Sequence, residues 1–470
     1  MPKALHISGR RRRGWLTSVL LLAVAASSVA TASVPNPTIS EPPVGLRGHA
    51  LWDSWWDLSE VGYEEHEFFV SGTASDTARA QTAPYTTRII VTRPSDPERF
   101  NGAVLLDWVN VTAQFENAVD TLEARQYLLR EGWAYVHVSA QAAGICCAGP
   151  FTPKLWDPVR YEALSHPGDA FASNIFSQVA QAIRSPQGID PLGGLPGPRT
   201  LIAAGQSQSA SRLDSYVRSE QPQAGLIDAF LIHGGGGKDH GEAGPAAPVL
   251  HLLSDLEANA SAPTSETNYR LWEIAGSAHS DFWIGYAQVA GQGPRWATGL
   301  KRSKADADAL DAVAGNYGEQ LHPMLATCIV AGAAFPMRYA VNAALDHLLA
   351  WVDPSDPVAP PTGPRFEFAA GTLARDQHGN ALGGIRLPPI DVPAARYVST
   401  SCGLGGITVP FTEAELLALY PTHDAYYQPM VARTADAVEA GYLLPEDSAD
   451  LLARACAMKN RWLEPAGPCV

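Results

Sequence analysis

The run Thr200-Leu201-Ile202-Ala203-Ala204-Gly205-Gln206-Ser207-Gln208-Ser209-Ala210 constrains this chain more than any other stretch. Its first five residues are uncharged and largely apolar, as in a strand buried on both faces of a parallel sheet. G-x-S-x-S follows directly, and an amphipathic pattern over Ser209–Glu220 predicts a helix immediately after it. Strand, tight turn and helix form the setting that holds a serine up as a nucleophile at the top of a sheet. Such a turn crowds the side chains two before and two after the serine, and Gly205 and Ser209 are both small. The last position is more often Gly, so this is a variant whose weight comes from the strand and helix around it. Ser207 is the expected nucleophile.

The rest of the chain supplies a matching scaffold. Short apolar runs at Thr87–Val91, Ala103–Val109, Trp133–Val138, Thr200–Ala204, Ala229–His233, Val249–Leu253 and Tyr269–Ala275 read as strands. Amphipathic segments at Asn117–Glu131, Ala170–Arg184, Ser209–Glu220 and Met337–Trp351 read as helices between or after them. That alternation predicts an α/β fold with a mostly parallel sheet and helices on both faces. A dinucleotide-binding version is disfavoured, because no G-x-G-x-x-G follows the first strand. Pro354–Pro364 is proline-rich, and turn-rich pieces followed by helices run to the C-terminus. The reading is a catalytic core over residues 33–353 and an extension over 354–470 that packs on it, being too fragmentary to fold alone.

A serine at its ordinary pKa needs a base, and the base needs a third group to orient it. In this kind of sheet the order along the chain is Ser, acid, His. Trp272-Glu273-Ile274-Ala275-Gly276-Ser277-Ala278-His279 is a strand, a turn and a histidine just past it, which singles out His279 from the 13 histidines. The acid belongs after the strand Val249–Leu253, where Ser254-Asp255-Leu256-Glu257 offers two carboxylates. Glu257 is favoured by its distance past the strand; Asp255 is the choice if the strand ends earlier. The oxyanion hole calls for backbone N–H groups aimed at developing charge. Gln208, next to the nucleophile, supplies one, and Val111 in Asn110-Val111-Thr112 after the strand Ala103–Val109 is favoured for the other.

Three decoys accompany these residues. His233-Gly234-Gly235-Gly236-Gly237 looks like an oxyanion motif but follows the nucleophile, so it reads as a flexible loop bordering the pocket. Asn110-Val111-Thr112 is also an N-x-T sequon, though at the end of a buried strand an oxyanion loop is the better reading. His166 and Asp169 precede the helix at Ala170, where Asp169 reads as a helix cap and not as a catalytic acid.

With these blocks in place, the chain resembles the bacterial α/β-hydrolase domain family of secreted esterases with a G-x-S-Q-S-A elbow. The matching blocks are Asp107-Trp108-Val109-Asn110-Val111-Thr112, Val138-Ser139-Ala140-Gln141, Trp156-Asp157-Pro158-Val159-Arg160-Tyr161 and His166-Pro167-Gly168-Asp169 with Ile175-Phe176-Ser177-Gln178. Ser207 through Leu213, Trp272 through His279 and Asp376 through Pro388 complete them. The likeness spans roughly residue 45 to the C-terminus and implies a Ser-acid-His hydrolase acting on an ester, with no metal or organic cofactor. It does not name a substrate. Relatives tend to show Ser-Glu-x-Asp where this chain has Ser254-Asp255-Leu256-Glu257, so the acid stays open between Glu257 and Asp255.

Charge and the N-terminus bound the setting. The 470 residues hold 33 Lys plus Arg against 48 Asp plus Glu, a net charge of −15, which argues against a nucleic-acid partner. Arg10–Arg13, an apolar run from Trp15 to about Val24 and Ala30-Thr31-Ala32 predict an export signal over residues 1–32, not a stable membrane anchor. Its loss removes one Lys and four Arg from −15, leaving −20. Export to a periplasmic or extracellular setting makes disulfides the expected use of Cys146, Cys147, Cys328, Cys402, Cys456 and Cys469, with the pairing open. No CxxC or Cys/His spacing favours zinc. Trp52, Trp55 and Trp56 are read as core packing ahead of an acyl pocket. The leading function is a secreted ester hydrolase. An amidase, peptidase or acyltransferase on the same residues, and a non-catalytic binding protein on the same scaffold, are the alternatives.

Overall fold

The computed structural model describes residues 1, 34–145, 151–235, 244–262, 266–315, 317, 328, 332–462 and 469. The chain divides into units Met1–Ala32 and Ser33–Val470. Beyond Met1, the expected export signal lies outside the described residues, as do Cys146 and Cys147. All the described strands and helices belong to the second unit.

Strands without charge on either face must be covered on both, and the apolar runs obey that rule. β1 (Thr38–Ser40), β2 (Tyr63–Asp76), β3 (Gln81–Pro94), β4 (Ala103–Trp108), β5 (Ala134–Val138), β6 (Thr200–Gln206), β7 (Ala229–His233), β8 (Val249–Ser254) and β9 (Tyr269–Ile274) form one sheet. Its order is β1-β2-β3-β5-β4-β6-β7-β8-β9. β4 through β9 pair in parallel, whereas β1, β2 and β3 pair antiparallel at one side.

Alternate residues of each strand feed opposite cores. Leu105, Ile202, Leu231, Leu252 and Trp272 pack with α1 (Val119–Arg130) and with the helix Met337–Trp351. Val104, Leu106, Leu201, Ala203 and Ile232 pack with α2 (Ala172–Arg184) and α3 (Gln208–Ser219). The chain therefore leaves β4 toward one face and β6 toward the other. Neighbouring parallel strands whose connections part in this way open a crevice at their carboxyl ends, where ligands bind in such sheets. The loop after β4 and Ser207 after β6 flank that crevice.

The long hairpin β2–β3, paired from Tyr63↔Pro94 to Asp76↔Gln81, differs from expectation. The sequence shows only Thr87–Val91 as a strand, because the outer half of β3 is largely exposed and has no apolar run to betray it.

Residues after Pro354 share the first core. Phe366, Ile385, Leu387, Ile390, Tyr397, Leu416, Met430 and Leu451 belong to the same buried cluster as Ile202 and Trp272. Ile385 also caps the open edge of β9: its N–H donates to Glu273 O at 2.6 Å, and its carbonyl accepts from Ala275 N at 3.0 Å. The buried Glu273 carboxylate takes Arg365 Nε and the Phe366 N–H, each at 2.7 Å. Disulfides join Cys328 to Cys402 and Cys456 to Cys469. Among the described residues, no helix is long and apolar enough to cross a membrane.

Candidate active site

Ser207 sits between β6 and α3 with φ 62° and ψ −115°. A side chain at positive φ costs about 1–3 kcal/mol and persists only where its surroundings hold it. Here the Ser207 N–H donates to His233 O at 2.8 Å, and Ser207 O accepts from Ser211 N at 3.1 Å. A Cβ on Gly205 would meet Ser209 C and O at 3.1 Å, which explains the small residue before the serine. Ser209 replaces the usual Gly to some purpose. Its Oγ donates to Gln206 O at 2.7 Å and accepts from Gln206 N at 3.0 Å, fastening the turn from inside.

His279, 9% exposed, follows the turn after β9. Its Nε2 lies 2.7 Å from Ser207 Oγ, and its Nδ1 meets the Glu257 carboxylate through Oε1. The His279 carbonyl accepts from Gln206 Nε2 at 2.7 Å, so the strand that bears the serine also steadies the histidine. Glu257 is placed by a capping box. Ser254 caps the short turn Asp255–Glu257, while Glu257 Oε2 accepts from the Ser254 N–H at 2.7 Å and from its hydroxyl. Burial works against the Glu257 charge. The hydrogen bond and charge of His279, joined by the Ser254 donors, outweigh it and hold the carboxyl below its ordinary range.

Asp255, the alternative acid, points elsewhere. Its Oδ1 accepts from Gly276 N and its Oδ2 from Arg375 Nη1, each at 2.9 Å. It ties the turn before His279 to the extension instead of touching the imidazole. Burial outweighs Arg375 and pushes its pKa up to about 6. Asp169 also differs from expectation: it does not cap the helical turn that follows it, since Gly168 holds that cap position. Its carboxylate instead accepts from Gln141 Nε2 at 2.9 Å, Ala142 N at 3.0 Å and Arg212 Nη2 at 3.0 Å. His166 Nε2 lies 2.9 Å from Ala140 O, and its Nδ1 accepts from Gly168 N at 3.1 Å, which fixes the loop.

The loop after β4 is anchored to the elbow by Asn110. This buried side chain donates Nδ2 to Gln206 O at 2.9 Å and accepts Thr112 N on Oδ1 at 2.8 Å. Its amide is thus occupied and enclosed, which leaves no room for the glycan that the sequon suggests. Val111 and Gln208 line one cleft of about 540 Å³ together with Ser207, Gln141, Asp169 and Arg212. Gly234 and Gly235 border it as well, while 236–243 lie outside the described residues. Gly234 has φ +62°, and a Cβ there would come within 3.3 Å of His279 Nδ1, so a side chain would be strained and would press on the imidazole. Behind it, His233 Nδ1 lies 2.9 Å from the buried Asp120. Trp52 and Trp55 line a separate cavity of about 50 Å³ with Val109 and Glu116.

Sequence reasoning passed over Gln206, Gln208's side chain, Gln141 and Arg212. The signal available was spacing: Gln208, Ser211 and Arg212 fall at i, i+3 and i+4 on one face of α3. Among the described residues, no three His, Cys, Asp or Glu side chains are grouped to hold a metal ion.

A family model described as an alpha/beta hydrolase domain matches residues 34–453. No curated protein matches the chain. Among solved structures, an esterase from Pyrococcus furiosus shares 9% identity over 50% of this chain and 88% of its own, with a TM-score of 0.29. A dienelactone hydrolase-like promiscuous phosphotriesterase from metagenomic libraries shares 14% over 54% and 96%, with a TM-score of 0.28. A glucuronoyl esterase from Teredinibacter turnerae shares 12% over 47% and 62%, with a TM-score of 0.26.

Proposed function

We propose that this chain, which belongs to the alpha/beta hydrolase domain family, is an exported serine esterase working through an acyl-enzyme. The observation that carries the reading is the continuous contact from Glu257 to His279 to Ser207 Oγ, the last link 2.7 Å long, at a positive-φ turn. In this scheme Glu257 holds the imidazole with a hydrogen on Nδ1, so that Nε2 accepts the Ser207 proton as Oγ attacks the ester carbon. Charge building on the carbonyl oxygen is taken up by the N–H groups of Gln208 and Val111, helped by the N-terminal dipole of α3. His279 returns the proton to the leaving alcohol, then activates a water that releases the acid from Ser207. The ion pair formed by His279 and Glu257 is enclosed, where fixed partners count for more than in water.

Export is supported by Arg10–Arg13 and Ala30-Thr31-Ala32 at the N-terminus and by two disulfides, which persist in oxidising compartments. The test is hydrolysis of p-nitrophenyl acetate by the purified chain. Turnover absent in Ser207→Ala supports the assignment, whereas turnover retained in that variant refutes it.

A further inference from the structure

The cleft beside Ser207 has an unusual lining for an ester site. Among its described lining residues, none is aromatic, and only Val111 and Ala143 carry purely aliphatic side chains. The others that extend into it are Thr112, Gln114, Gln141, Asp169, Gln208, Ser211 and Arg212. A long acyl chain or an aryl group laid here would cover polar groups without bonding them, which opposes binding.

One wall is also preset in direction. Trp108 Nε1 can only donate, and it gives its hydrogen to Gln141 Oε1 at 3.1 Å. Gln141, 2% exposed, must then turn Nε2 toward Asp169, and Gln208 must offer Nε2 to the same Gln141 oxygen at 3.1 Å. Gln208 is thereby held against the wall, with its Oε1 enclosed and without a partner among the described residues. Next to it stands the Arg212–Asp169 pair, at 3.0 Å, with 45% and 31% of the two side chains exposed. A donor–acceptor pair open to the cleft suits adjacent hydroxyls, each of which both gives and takes a hydrogen bond. An anionic group fits less well: Asp169 already balances Arg212, and the whole chain carries −15.

Resting on the serine-esterase reading, we infer that the cleft takes the hydroxyl-rich portion of a neutral sugar or polyol ester. The exposed Arg212 guanidinium donates to one hydroxyl, and the Asp169 carboxylate accepts from its neighbour. The wall that includes Ser211 and Arg212 of α3 sets this preference, one helical turn from the nucleophile.

The experiment compares kcat/KM of the purified chain for monoacetylated methyl glucoside, glycerol monoacetate and hexyl acetate, with p-nitrophenyl acetate as the common reference. The expected result is at least a tenfold preference for the glucoside or glycerol ester over hexyl acetate, and the better of the two identifies sugar or open-chain polyol. Arg212→Gln and Asp169→Asn should each cut that preference about five- to tenfold, through KM more than kcat, as loss of one or two hydrogen bonds does. Taking each variant's ratio of two substrates removes any general loss of active protein. Equal or better turnover of hexyl acetate, or a preference unmoved in both variants, overturns the inference while leaving the esterase reading intact. No turnover of any ester, with no fluorophosphonate labelling of Ser207, overturns the esterase reading and this inference with it.

Discussion

Glu257→Gln changes one oxygen to an NH₂ and keeps the shape of the turn, so its effect isolates the orienting charge. In the native arrangement Oε1 faces His279 Nδ1, while Oε2 collects the Ser254 N–H and hydroxyl. A glutamine amide can satisfy only one side. With its oxygen toward His279, its NH₂ confronts the Ser254 N–H, which cannot accept, in an enclosed turn, at a cost of about 1–3 kcal/mol. With its oxygen toward Ser254, those bonds survive and the NH₂ points at Nδ1. The second orientation is favoured, and it forces His279 to accept at Nδ1 and to carry its hydrogen on Nε2, facing Ser207. Such a histidine cannot take the serine proton. Loss of the orienting carboxylate from a triad lowers kcat by about 10⁴, and the shared turn geometry here suggests about 10³–10⁴, or roughly 4–5.5 kcal/mol of barrier. Asp255→Asn, which touches Gly276 and Arg375 and not the imidazole, should lose less than about tenfold. The assay is steady-state hydrolysis of p-nitrophenyl acetate by both variants near pH 8, with fluorophosphonate labelling rates as a second reading of nucleophile activation. A crippled Asp255→Asn beside a Glu257→Gln within tenfold of the native enzyme would show the reasoning to be wrong.

Ser207→Ala should abolish turnover and probe labelling while changing the unfolding free energy from urea titration by no more than about 1 kcal/mol, because only one partly exposed hydroxyl is lost; labelling elsewhere in that variant sinks the assignment. Arg375→Met should destabilise the chain by about 1–2 kcal/mol at neutral pH, since the buried Asp255, with a pKa of about 6, takes up a proton for about 1.4 kcal/mol once its partner is gone. Asp255 has a folded pKa of about 6, above its ordinary 3.8, so its ionisation works against folding as pH rises between those values. Asp255→Asn lacks that penalty, and its stability relative to the native chain should rise by about 2 kcal/mol from pH 4 to pH 6 in urea titrations; a flat difference refutes the shift. Removal of residues 355–470 strips Phe366, Ile385, Tyr397 and Leu451 from the core and should give insoluble or inactive protein, a result contradicted by unchanged stability and kinetics.

The parallel half of the sheet was legible in the sequence because its cause is local. A strand covered on both faces must be apolar throughout, and Thr200–Ala204 or Val249–Leu253 can be recognised without any partner in view. The elbow was legible for the same reason, since crowding at a tight turn acts on Gly205 and Ser209 within five residues of chain. What stayed open depended on contacts between distant segments. Asp255 and Glu257 are both carboxylates in the same short turn, and nothing in their neighbourhood states which one faces His279. Ser254 draws Glu257 back in a capping box, while Arg375, far along the chain in the extension, takes up Asp255. Asp169 reads locally as a cap, yet Gln141, Ala142 and Arg212 claim it for the cleft wall. The outer part of β3 escaped notice because its pairing rests on backbone hydrogen bonds and leaves no apolar run, and in β2 the buried Phe68-Phe69-Val70 is too short a run to reveal a 14-residue strand. Burial writes itself into composition one residue at a time, whereas a hydrogen bond chooses its partner only after folding has brought the candidates within about 3 Å of each other.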